Sequence, residues 1–143
     1  MKAPALRGAL LALCLAAAIG PALARSSNMV ELGRQEVVTF DGRPLTLDSM
    51  RKAILYGGLT RRWTAVGEQP GVLSLQASNG GHQVVVDVAY DAKTYEIRYK
   101  SSVDMNYEQV DGKVSIHPKY NQWVKDLSTA IRAAVSTGNG ERH

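Results

Sequence analysis

From Trp63 to Lys100 apolar residues fall at alternate positions, and the breaks between the alternating runs are only a few residues long. A period of two sorts side chains onto the two faces of a strand. Connections this short join only antiparallel neighbours, because a parallel crossover takes about a dozen residues. The region is thereby held to an antiparallel meander with one apolar and one wet face. Four strands are expected. The first is Arg62 to Val66, with Trp63 and Ala65 on one face; the second has Leu73, Leu75 and Ala77 alternating with Ser74 and Gln76. The third, His82 to Tyr90, sets Val84, Val86, Val88 and Tyr90 on one face, and the fourth, Thr94 to Lys100, does so with Tyr95, Ile97 and Tyr99. Gln69-Pro70-Gly71, Asn79-Gly80-Gly81 and Asp91-Ala92-Lys93 supply the turns.

Helical spacing flanks the meander on both sides. Thr46 is a suitable N-cap for a helix Leu47 to Tyr56, with Leu47, Met50 and Ile54 on one stripe and Gly57-Gly58 as its stop. At the other end Pro118 suits a first helical turn. Tyr120, Trp123, Val124, Leu127, Ile131, Ala134 and Val135 then recur at helical spacing through Ser136. Before the first helix, Glu36 to Phe40 is a short strand candidate closed by Asp41-Gly42-Arg43-Pro44. The segment Ser101 to His117 is open to two readings, a tight hairpin at Asp111-Gly112 or an irregular loop. The expected fold is α+β, two layers in the order α-β-β-β-β-α, with a four-stranded antiparallel meander and both helices on its apolar face. Trp63, Leu75, Val86, Ile97 and Tyr99 would then be buried against Met50, Ile54, Trp123, Leu127 and Ile131.

The N-terminus has the layout of a secretory signal. Lys2 and Arg7 precede an apolar run from Ala9 to Ile19, Gly20-Pro21 breaks it, and Ala22-Leu23-Ala24 gives a small-x-small cleavage pattern. The run is shorter than the about 20 residues a membrane helix needs. Cleavage after Ala24 is expected, and removing 24 of the 143 residues leaves 119, divided into a lead-in to residue 45, one α+β domain over 46–136 and a flexible tail from 137. Of the 17 Lys and Arg residues two lie in the signal, so against 13 Asp and Glu the charge falls from +4 to +2. So slight a surplus argues against nucleic-acid binding, which needs a concentrated basic surface. The single Cys, Cys14, also lies in the signal. Disulfides, thiol metal sites and a Cys nucleophile are excluded from the cleaved chain. Lipid attachment at Cys14 is the alternative. Leu13 stands where that signal wants Gly, Ala or Ser, so a soluble periplasmic product is expected.

Ile97-Arg98-Tyr99-Lys100-Ser101-Ser102, Asn106-Tyr107 and Ile116-His117-Pro118-Lys119-Tyr120-Asn121-Gln122-Trp123, with Arg62-Trp63, form a set of short strings within residues 46–135. This set resembles a family of small proteobacterial envelope proteins, described mostly as exported proteins or lipoproteins. The resemblance implies a periplasmic setting and the helix, meander, helix layout, and it implies no activity.

His117 invites a catalytic reading, as a base sharing space with Asp104, Asn106, Tyr107, Tyr120 or Asn121 in a small periplasmic hydrolase. Its structural alternative is a cap on the following helix or a tie to the preceding loop. Ser101-Ser102 lacks the Gly-x-Ser-x-Gly setting of an exposed nucleophile. His82 and His117 have no His or Cys at ligand spacing, and His143 is terminal, so neither metal nor cofactor is expected. By strand parity Arg62, Thr64, Ser74, Gln76, Gln83, Val85, Asp87, Glu96, Arg98 and Lys100 face solvent. Arg62, or the pair Arg98 and Lys100, would suit an anionic group such as a carboxylate on cell-wall peptide or an envelope protein. The expected function is non-enzymatic binding through this face or through Ser101 to His117, with Arg62, Arg98, Lys100, Asn106, Tyr107, His117, Tyr120 and Asn121 as candidates. Homodimerisation by edge-strand pairing is a further expectation.

Overall fold

The computed structural model describes residues 26–138. The expected signal segment, Cys14 and His143 lie outside the described residues. The elements are β1 (Ser27–Asn28), β2 (Arg34–Glu36), α1 (Leu47–Thr60), β3 (Thr64–Gln69), β4 (Val72–Asn79), β5 (His82–Tyr90), β6 (Thr94–Val103), β7 (Glu108–Val110), β8 (Lys113–Ile116) and α2 (Pro118–Ser136). The fold is mixed α+β, with two helices and eight strands in two antiparallel sheets among the described residues. None of the described helices is long and apolar enough to cross a membrane.

The meander, β3 to β6, makes up four adjacent strands of a five-stranded sheet, β2-β6-β5-β4-β3. Its apolar parity holds: Leu73, Leu75, Val84, Val86, Val88, Tyr95 and Ile97 are buried beneath Met50, Ile54, Leu127 and Ile131 of the two helices. Tyr99 and Trp123 are only half-buried against this core. The sheet gains a fifth strand because the lead-in returns to β6, pairing Arg34 with Glu96 and Glu36 with Thr94. The strand expected at Glu36 to Phe40 is therefore displaced toward the N-terminus, and Val38 and Phe40 are exposed. A separate sheet, β1-β8-β7, contains the hairpin at Asp111-Gly112. Both of its turn residues have positive φ, 51° and 77°, as the tight mirror-image turn requires.

Gly57-Gly58 does not stop α1, which runs on to Thr60. A Cβ on Gly57 would lie 2.8 Å from the Ala130 carbonyl oxygen and the Ile131 nitrogen, so this glycine lets the two helix backbones approach. The stop is made instead by Arg61 as C-cap and Arg62 just past it. The Arg62 N–H donates to Leu59 O (3.1 Å) and the Trp63 N–H to Gly58 O (2.8 Å), a Schellman closure with Arg62 at φ 64° in the position glycine favours. Arg62 is thus a helix terminator rather than a strand residue. The strand expected from it begins at Thr64, and Ala65, which should have shared the buried face of Trp63, is exposed beside a register shift between Ala65 and Gly67.

Helix α2 spans the expected Pro118 to Ser136, with His117 as N-cap. Thr137, expected in the flexible tail, closes that helix through its N–H to Ala133 O (3.0 Å) and its hydroxyl to the same oxygen (2.8 Å).

Candidate functional site

Strand β6 is paired with β5 up to Val103, but with β2 only from Thr94 to Glu96. Beyond Glu96 its outer edge carries no strand among the described residues, because Gly33, at φ 68°, turns the lead-in away just where Ile97 would need a partner. The Val37 N–H to Lys93 O bond (3.0 Å) sets the alternation of this ladder. Counting on by two from Lys93, the N–H and C=O groups of Ile97 and Tyr99 point to the uncovered side.

Opposite that edge stand the lead-in and the small sheet. Between them lies a cleft of about 510 Å³ lined by Met29, Glu31, Arg98, Tyr99, Tyr107 and Tyr120 among others. Tyr99 stacks on Tyr107 with ring centroids 4.4 Å apart and planes within 2°, and meets Tyr120 edge-on at 5.8 Å. Tyr107 is brought over Tyr99 by the reversal Asp104-Met105-Asn106. Asp104 and Asn106 take left-handed backbone (φ 56° and 52°) and Met105 is driven into the core. Burial pushes the Tyr120 hydroxyl's pKa well above its ordinary value, with Tyr99 and the Glu31 carboxylate adding to the effect.

Asn121 builds the far wall. Its Oδ1 accepts from Val30 N (2.8 Å), and its Nδ2 donates to Asn28 O (2.9 Å) and Ser27 Oγ (3.0 Å). One amide thereby replaces a missing strand partner for the segment that carries Met29 and Glu31.

The wet sheet face is charge-compensated. Arg98 Nη2 donates to Glu96 Oε2 at 2.8 Å, which raises the guanidinium pKa and lowers that of the carboxylate. Lys100 Nζ lies 3.4 Å from Asp87 Oδ1 and 3.3 Å from Ser74 Oγ, while the Ser74 hydroxyl donates to the same Asp87 oxygen at 2.5 Å. Ser74, placed in solvent by parity, is buried by this network. Each cation thus already has a carboxylate beside it, which weakens its pull on an incoming anion.

His117 and His82 face one another, ring centroids 4.9 Å apart. Nδ1 of His117 accepts from Lys119 N at 3.1 Å, capping α2. Nδ1 of His82 is 2.6 Å from Asp104 O, and since a carbonyl only accepts, that nitrogen carries the proton. Among the described residues no three of His, Cys, Asp or Glu come together as a metal-ligand set.

The sequence candidates therefore separate. Arg98, Tyr107 and Tyr120 share the cleft, Asn121 holds its wall, and Asn106 sits in the turn that aims Tyr107. Lys100 belongs to the sheet face, and Arg62 lines a different cleft of about 300 Å³ with Trp63, Trp123 and Asp126. Glu31 and Met29 carry no sequence signal for this site, and Tyr99, which strand parity places on the core face, turns out to stack on Tyr107 instead. Comparison with protein-family models, curated proteins and solved structures finds no match for this chain.

Proposed function

We propose that the chain is exported to the periplasm, loses residues 1–24, and acts as a non-enzymatic binding module for another component of the cell envelope. The binding site in this reading is the cleft between the two sheets. One observation carries it: three tyrosines converge beside an unoccupied strand edge, and the outermost, Tyr107, is left 41% exposed. Aromatic side chains with a polar tip suit recognition surfaces because they offer large contact area at little conformational cost. The hydrolase reading around His117 has weaker support, since Nδ1 of each paired histidine already serves a backbone group. The mass of the secreted chain tests cleavage after Ala24. A photo-crosslinking side chain at position 107, compared with one at Arg62, tests the site in the exporting cell. Discrete adducts from position 107 alone are expected; equal adducts from both positions, or none from 107, would remove the cleft from consideration.

A further inference from the structure

The five-stranded sheet has two edges, and they differ. Strand β3 is exposed on both faces along its length. Its register breaks between Ala65 and Gly67, and Arg51 reaches across from α1 to hydrogen-bond Glu68. A bulged edge bridged by an ion pair is poorly suited to receive another strand. Strand β6 has a bulge of its own at Lys100, where its register with β5 shifts, but Ile97 and Tyr99 precede it in regular register, no ion pair among the described residues ties them to a helix, and this stretch lies recessed in the cleft. There it presents two N–H and two C=O groups at the two-residue repeat of a strand, with the stacked Tyr99 and Tyr107 alongside.

We infer that the cleft receives an extended peptide carrying a basic side chain, added as a short strand along Ile97 to Tyr99. The inference rests on the binding-module reading above and names its ligand class. Peptide is favoured because alternating donors and acceptors along an edge match another backbone, while flanking side chains supply selectivity. A basic side chain is favoured by charge. Arg98 is already neutralised by Glu96, whereas Glu31 lines the same cleft with no cationic partner among the described residues. The exposed face of Tyr107 adds attraction for a cation.

The test uses isotope-labelled protein purified after export and a capped octapeptide alternating valine and lysine. Binding is expected to shift the amide resonances of Ile97 and Tyr99 and slow their hydrogen exchange. N-methylation of the peptide at the alternate amides that face β6 should weaken binding about tenfold or more, while methylation of the intervening amides leaves it nearly unchanged. Glu31→Lys should weaken binding of the lysine peptide about threefold and favour a glutamate counterpart. Equal sensitivity to both methylation patterns, or protection elsewhere with none at Ile97 and Tyr99, overturns strand addition. Perturbation of the cleft by N-acetylglucosamine oligomers but not by the peptides would also overturn it, while leaving the cleft a binding site. Protection at Ile97 that rises with protein concentration alone, with a dimer seen by light scattering, would assign the edge to a second copy instead.

Discussion

The two sheets of this protein are both antiparallel, yet they are held by different means. The five-stranded sheet rests on a continuous apolar layer in which Met50, Ile54, Leu73, Val84, Val86, Leu127 and Ile131 are fully buried. The three-stranded sheet has β7 exposed throughout, and it is tied to the rest through a few separate contacts, among them the buried Met105 and Ile116, the Tyr107 ring on Tyr99 and the side-chain amide of Asn121. A short hairpin is marginal alone and must lean on something. The contrast shows how one chain can combine a firm platform with a lightly attached wall, and the cleft lies along the junction.

The sharpest way to break the contrast is at the helix crossing. Gly57→Ala puts a methyl group against backbone that cannot swing aside, and should cost about 3 kcal/mol of global stability. A fall in melting temperature of about 10 °C or more is expected; an unchanged melt would mean the platform is less tightly packed than its geometry indicates. A smaller loss, about 1–2 kcal/mol, is expected for Tyr95→Phe. The Tyr95 hydroxyl is buried between Ser128 Oγ (2.6 Å) and Ser128 O (3.0 Å). Burial also raises its pKa, as it does that of Tyr120. Stability from these two phenols is complete below the ordinary tyrosine value of about 10 and declines as pH climbs beyond it, because the unfolded chain ionises first. Denaturant melts from pH 8 to 11 should show that alkaline loss in the parent and less of it in Tyr120→Phe.

Asn121→Ala addresses the other side of the contrast. It should cost about 1 kcal/mol, felt locally. Hydrogen exchange at Val30 and in β1 is expected to accelerate while β4 and β5 keep their protection; uniform acceleration would show that the two sheets open as one unit. The smallest effect is a gain. Arg62→Gly relieves a left-handed arginine at the end of α1, and about 0.5–1 kcal/mol of added stability should appear in the same melts.

The sequence disclosed the platform better than the wall, for physical reasons. Strands β4 to β6 obey a two-residue period imposed by one buried face, and α2 announces itself through Pro118 and a long apolar stripe. Both signals are local. Gly57 misled because a glycine that ends a helix and one that admits a neighbouring helix look alike until the neighbour is in place. The pairing of Ser27 with Ile116 and the capture of Val30 by Asn121 link residues about 90 positions apart without any periodicity to mark them. Arg98 was legible as an outward-facing strand residue, and Tyr107, Tyr120 and Asn121 as polar or aromatic residues grouped about His117. Their separation from Arg62 and Lys100 depends on which face each strand turns to the cleft, and Glu31 had no local signal at all.

The hold of Asn121 on Val30 also orders events in time. A chain emerging from its N-terminus produces β1 first, but the strand and the amide that receive it lie 89 and 91 residues downstream. Closing so long a loop carries an entropic penalty that local hairpins avoid, so β4 to β6 can assemble while the lead-in is still unattached. The wall of the cleft is therefore expected to dock last, after α2 has formed. Until then β6 exposes its whole outer edge, and any peptide that fits there can reach the nascent domain before the domain's own first segment does.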